Sequence, residues 1–423
     1  MAAFIPVESP CLALLRWLDI SEKQTVNREI PSRVNDPGPT ASVEWRLLLA
    51  GSSADAGESD FVRAHMLELQ QAGRFDWELV LRLAEDHGTS SLLYQNLASS
   101  GVVVPAAVLA SLRQRHETNA RKSLFMAREL MRILDSTDSL GVEVIPYKGI
   151  VLSEVYYGDI ALRQSGDIDL FVRKRDVARI KCAVCDLGYA PRFTIPEDAE
   201  QDYIESGYEW TFDSAAGINL LELQWALQPR FYSVDIDMDG LFDRAANTMV
   251  AGRRVKTLSS EDLLLVLAVH AAKHVWGRLI WLCDVARILK RGNLNWDFVR
   301  ARAREFGIER ILHVTLLLTN RFLTTKIPPT IETATREDRV ARVFADEIEV
   351  AVANGVSYEE QKMSYFRLMM RLRERRVDRL RFLTRLTFTP GPGEWEAVHL
   401  PKLLFPLYRV VRMARLATRW PRN

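Results

Sequence analysis

The sequence predicts an α+β protein in which a small mixed sheet lies between helical flanks on both sides. Three observations predict it. From Val43 to about Leu140, apolar residues recur three and four apart, the spacing of amphipathic helices. From Val142 to Trp225, short apolar runs alternate with period two, as strands do. At Ser259 the helical spacing returns. With 423 residues and 48% hydrophobic content, the chain is long and apolar enough for two or three packed units.

Residues 1–42 carry IPSRVNDPGPTAS and little periodicity, and are expected to be a leader or linker. An amino-terminal helical domain follows over 43–135, with DWELVLRLAEDHG and AAVLASLRQRHETNARKSLFMARELMRILDS as its clearest helices. The mixed core spans 136–257. VEVIPY is its first strand and ends at Lys148-Gly149, and IVLSEVYY is a helix. DIDLFV is the second strand, with Asp167 and Asp169 on one face and Ile168 and Leu170 on the other. A helix over DVARIKCAVCDLG precedes YEWTFD and INLLELQW, whose connection through Gly217 reads as a hairpin. The carboxy-terminal helical domain, 258–345, opens where Ser259 and Asp262 have capping-box spacing. A basic helical tail, 346–423, closes the chain, broken by TPGPG near Pro390.

Composition excludes some functions. The 56 basic and 55 acidic residues nearly cancel, so no global field favours nucleic acid. Four scattered cysteines make no disulfide framework and suggest a reducing, cytoplasmic setting. The amino terminus has neither the early basic residue nor the unbroken apolar stretch of a secretory signal. The longest apolar run, Leu263–Ala272, contains His270 and is far short of the roughly 20 residues that span a bilayer. Cys182 and Cys185 have CxxC spacing without a second pair, and are expected as buried core thiols on a helix. Trp210, Trp225, Trp276 and Trp281 are expected in the core.

The chemistry concentrates in YKGIVLSEVYYGDIALRQSGDIDLFV. Carboxylates at i and i+2 on a strand share a face and can hold hard cations, and their repulsion favours a metal between them. The Gly149 turn into a helix offers free backbone N–H groups suited to phosphate. Lys148 and Arg163 add positive charge beside it. A bare Asp-x-Asp is more often a solvated strand face. Here the Lys-Gly turn, the helix and the arginine arrive in the order a triphosphate site needs.

This run resembles the signature of the bacterial uncharacterised nucleotidyltransferase family within the DNA polymerase β-like superfamily. The similarity extends from about Asp76 to Leu289 and takes in AEDHGTSSLLYQNL, LLELQW and HAAKHVWGRLIWLCDVARIL. The resemblance implies transfer of a nucleoside monophosphate from a triphosphate such as ATP to an acceptor hydroxyl, with magnesium or manganese held by Asp167, Asp169 and a third carboxylate. Glu222 matches that third position, on a strand whose Leu221 and Leu223 face the core. Where family members often carry His two residues later, this chain has Gln224. Some members accompany peptide-modification or surface-polysaccharide biosynthesis, so the acceptor expected is a small molecule, peptide or sugar.

On the helix after Ser259, His270, Lys273 and His274 share a face, with Arg278 a turn beyond. Lys273 and His274 are expected to close on the triphosphate, alongside Lys148, Gly149 and Arg163. The alternative for the histidines is a structural pair satisfied by a carboxylate such as Asp284. The basic tail suits anionic lipid or an acidic protein, and specific nucleic-acid binding is not expected. Two other readings of the whole chain are a scaffold or regulator that keeps the fold, and a toxin-like transferase that modifies RNA.

Overall fold

The computed structural model describes residues 42–53, 76–100, 103–215, 217–355, 362–389 and 408–419, with the single positions 64, 398, 404 and 407. The expected leader, except Ser42, and the break near Pro390 lie outside the described residues. Residues Thr40–Asn423 form one compact unit.

Among the described residues four helices lead: α1 (Val43–Ser52), α2 (Trp77–Asp86), α3 (Ser90–Ser99) and α4 (Ala106–Ser139). Side chains cap two of them, Ser42 accepting from the Trp45 amide at 3.1 Å and Asp76 from the Leu79 amide at 3.0 Å. The 34-residue α4 runs through the boundary expected at 135, because Met126, Leu130, Ile133 and Leu134 of its second half are buried in the core cluster that covers the sheet.

The sheet is built from β1 (Val144–Pro146), β2 (Asp167–Val172), β3 (Ala190–Pro191), β4 (Glu209–Asp213) and β5 (Leu220–Gln224), in the order β1-β2-β5-β4-β3. Among the described strands, only β2 and β5 pair in parallel. This is the mixed sheet the sequence predicts; α5 (Ile150–Leu152), α6 (Val177–Asp186) and α7 (Glu197–Ser206) lie in its connections, and α8 (Met238–Asp243) follows β5. Its alternation sets the two faces: Ile168, Leu170, Trp210, Phe212, Leu221 and Leu223 are buried on one side against α4 and α6 (Val177–Asp186). The carboxylates take the other side.

The cysteines correct one expectation. Cys182 is exposed and Cys185 half-buried, because α6 buries the stripe Val177, Ile180, Ala183 and Val184 instead. A separate ribbon, β6 (Ala246–Val250) with β7 (Arg253–Thr257), ties back to β1 where Thr257 Oγ1 donates to the Pro146 carbonyl at 2.8 Å.

Helix α9 (Ser260–Lys273) starts at Ser259 as its capping spacing predicts: the hydroxyl accepts from the Asp262 amide at 3.2 Å. It is followed by α10 (Leu279–Arg291) and a run of further helices. The described part of the segment expected as a basic helical tail packs onto this body. Tyr365 Oη donates to the Lys273 carbonyl at 2.8 Å, Arg385 forks onto Asp235 at 2.8 and 2.9 Å, and Arg373 is buried. Among the described residues, no helix is long and apolar enough to cross a membrane.

Candidate active site

The site lies on the face of the sheet opposite the core cluster, where β2 and β5 carry their carboxylates. Parallel pairing sets Asp169 directly beside Glu222, and Asp167 shares their face because residues two apart on a strand point the same way. The chain enters through the turn after β1. Gly149 has φ 55°, and a Cβ there would stand 3.2 Å from both the Asp167 carbonyl and Ser165 Oγ. Both the positive φ and this close approach require glycine.

The Lys148 ammonium reaches across to Asp169 Oδ1 at 2.9 Å, in a pair whose side chains are 7% and 0% exposed. Burial alone would pull Lys148 down, but Asp169, Tyr147 and Asp167 outweigh it and hold its pKa well above the usual lysine range. For Asp169 the balance goes the other way. Burial, helped by the negative charges of Asp167 and Glu222, overcomes Lys148 and raises its pKa to about 7. Burial and Glu209 likewise push Glu222 up, against Lys148 and Lys273. Burial comes first in both shifts, and mutual repulsion adds to it, because Asp167, Asp169, Glu209 and Glu222 form an excess of acids over Lys148 and Lys273.

This excess is the observation that fits a divalent cation. Asp169 Oδ2 is buried with no hydrogen-bond partner among the described residues, and the donors are hard carboxylate oxygens, as magnesium or manganese prefers. Among the described residues, no three His, Cys, Asp or Glu side chains already stand close enough together to hold a metal ion. Lys148 supplies the positive charge beside Asp169.

Gln224, where family members often carry His, has a definite part. It donates from Nε2 to Glu222 Oε2 at 2.8 Å and accepts from Tyr147 Oη at 2.7 Å. Tyr147 is fixed in turn by stacking on Phe171 with ring centroids 4.1 Å apart. The chain Phe171–Tyr147–Gln224 thus orients Glu222. Sequence reasoning missed Tyr147, which stands beside Lys148 but carries no motif of its own.

Across the site, the end of α9 supplies His270, Lys273 and His274. The two imidazoles pack 5.0 Å apart and both flank Trp281, at 5.4 and 5.0 Å. Burial, then Lys148 and the neighbouring cations, keep His270 far below the usual histidine pKa and so neutral. Lys273 lies over the Tyr208 ring at 5.5 Å and lends positive charge to Glu222. The turn beyond is unusual: Val275 and Trp276 have φ of 51° and 49°. A β-branched residue there is strained. The Trp276 indole, donating to Thr315 Oγ1 at 2.9 Å, helps hold the turn.

The structure gives two of the expected partners to each other. Arg163 does not stand free for phosphate, since its Nε and Nη2 fork onto the two oxygens of Asp284, each at 2.8 Å, and both side chains are buried. Tyr157 Oη donates to the same carboxylate at 2.7 Å. Asp284 is therefore committed to Arg163 and Tyr157. A bidentate buried pair is favoured because the guanidinium fork matches the carboxylate. Here it joins the loop before β2 to α10.

Residues 73–324 match the sequence profile of a family described as uncharacterised nucleotidyltransferase. No curated protein matches the chain. Among solved structures, the chain is similar to the solution structure of the antibiotic-resistance factor ANT(2'')-Ia, with 16% identity and a TM-score of 0.32 over 43% of this chain and 93% of that one. It is also similar to a crystal structure of ANT(2'')-Ia in complex with adenylyl-2''-tobramycin, with 16% identity and a TM-score of 0.30 over 43% and 98%.

Proposed function

We propose, from the premise that this chain belongs to the uncharacterised nucleotidyltransferase family, that Asp167, Asp169 and Glu222 are the catalytic carboxylates of its transfer reaction. The enzyme is a nucleotidyltransferase. The reading assigns it a nucleoside triphosphate and an acceptor hydroxyl of a small molecule, peptide or sugar. The acceptor oxygen bonds to the α-phosphorus, the bond to the β-phosphate bridge oxygen breaks, and pyrophosphate leaves with the electron pair.

The observation that carries the proposal is the register of β2 and β5, which brings Asp169 and Glu222 side by side on the face that Asp167 also occupies. The three carboxylates would hold magnesium or manganese, which when bound would lower the pKa of the acceptor hydroxyl and neutralise the triphosphate. Glu222, half-buried and raised in pKa, takes up the hydroxyl proton. Gln224 keeps its carboxylate aimed. Lys148 keeps a positive charge against Asp169, and Lys273 adds one on the Glu222 side. Neutral His270 can exchange hydrogen bonds without adding charge. Catalysis is then positioning and electrostatics.

The test is pyrophosphate release from each labelled triphosphate, with cell extract as the acceptor source, for wild type and Glu222→Gln together. The variant should bind triphosphate as before and lose transfer by roughly 10²–10⁴. Release at the wild-type rate would remove Glu222 from the mechanism and pass the role to Glu209, which pairs with Gln224 across β4 and β5.

A further inference from the structure

A second group of cations stands on the other side of the carboxylates, in a cleft of about 590 Å³ that none of the roles above uses. The cleft opens against Ser165 and Gly166, the two residues ahead of Asp167, and Arg115, Lys122 and Arg278 line it with a single acid, Glu85. Arg115 and Lys122 lie two turns apart on one face of α4.

Both arginines donate to neutral carbonyls, and Arg115 also pairs with Glu85. Arg115 Nη1 donates to the Leu81 carbonyl at 2.6 Å and to Glu85 at 3.3 Å, and Glu85 also accepts from Ser90 Oγ at 3.3 Å. Arg278 is tethered to a neutral group, its Nε donating to the Asp86 carbonyl at 3.0 Å. Lys122 comes over Gly166, its Nζ 3.8 Å from where a Cβ would stand, and has no hydrogen-bond or ion-pair partner among the described residues. Ser165 lines the same wall. Burial and nearby Arg163 disfavour the charge of Arg278, while Asp167, Asp86 and Glu85 favour it. This cation is therefore close enough to sense the catalytic carboxylate.

We propose that this cleft is a phosphate-binding subsite, in which Arg115, Lys122 and Arg278 hold a phosphate group on the Asp167 side while Lys148 and Lys273 serve the Glu222 side. Two ligands carry such a group: the tail of the triphosphate itself, and an acceptor that is already phosphorylated. The choice between them rests on the transferase reading, whereas binding of phosphate does not.

Calorimetry with pyrophosphate, ATP and AMP as probes, on wild type, Lys122→Met and Arg115→Gln, tests it. Each variant keeps most of its side-chain bulk, and circular dichroism checks its fold. Pyrophosphate affinity should fall roughly tenfold or more in each, the scale of one lost charged hydrogen bond. If ATP weakens in parallel and AMP does not, the subsite holds the nucleotide's own tail. If ATP is unchanged, and pyrophosphate binds ATP-saturated wild type but not the saturated variants, it holds a phosphorylated acceptor. Unchanged affinity for both pyrophosphate and ATP in folded variants overturns the proposal. A wild type that binds pyrophosphate in a Lys122-dependent way, yet releases none from any triphosphate, refutes the transferase reading and leaves the subsite standing.

Discussion

Replacing Asp169 with Asn should stabilise the metal-free protein above neutral pH. The carboxyl is buried, and its pKa is raised to about 7, first by burial and then by Asp167 and Glu222. A raised acid binds its proton more tightly when folded, so its contribution to stability is complete below the unfolded pKa of about 3.9. That contribution is lost as pH rises through about 7. Three pH units correspond to about 4 kcal/mol. Asn mimics the protonated acid, which already leaves Lys148 with a neutral partner, so the expected net gain at pH 8 is about 1–3 kcal/mol. Near pH 4 the two proteins should be equal within about 0.5 kcal/mol. Lys148→Met should act oppositely, since it strips Asp169 of its ion-pair partner, costing about 3–5 kcal/mol at pH 8 and less at pH 5, where the carboxyl is protonated. Added magnesium should stabilise wild type at pH 8 more than Asp169→Asn. Urea unfolding with and without chelator reads all four arms. If Asp169→Asn is a kcal/mol or more less stable than wild type at pH 8 without metal, the buried pair is net stabilising and the charge-excess argument for a cation site fails.

Asp284→Asn strands the buried Arg163 guanidinium and should cost about 3–5 kcal/mol by urea unfolding, with Arg163→Lys also destabilising because a lysine cannot fork; a neutral effect of both would show that the pair does not tie the β2 loop to α10. Val275→Gly relieves a β-branched residue at φ 51° and should leave stability equal or higher, by up to about 1 kcal/mol, read as a thermal midpoint; a clear fall would mean that packing of the Val275 side chain outweighs the strain. A chain ended after Gly355 loses Tyr365 on the Lys273 carbonyl and the fork of Arg385 on Asp235, so it should unfold at lower urea and bind triphosphate more weakly; an unchanged midpoint would make the last helices peripheral after all.

Much of this was legible because local rules decide it. The strand DIDLFV has the observed bounds of β2, since period-two alternation with a buried apolar side fixes both its type and its faces. The Ser259 cap, the hairpin before β5 and the turn at Gly149 follow from residue types whose backbone preferences are strong. Other readings failed where distant segments meet. Nothing near Arg163 in sequence announces Asp284, 121 residues away. Cys182 was misplaced because a ten-residue helix can bury either of two adjacent stripes, and only the sheet it lies on selects one.

The sequence by itself determined the α+β class, the order of the elements and the placing of Asp167 and Asp169 on one strand face, because these depend on periodicity and short-range sterics. Tertiary structure alone decided that Asp169 stands beside Glu222, that Gln224 and Tyr147 orient that glutamate, that Lys148 pairs with Asp169 while Arg163 turns away to Asp284, and that a second set of cations borders Asp167. Each of these depends on which strands pair in parallel and which helices cover them. Charges and lone pairs act through space over a few ångströms, so partners brought together from across the fold set the electrostatics that no single segment encodes.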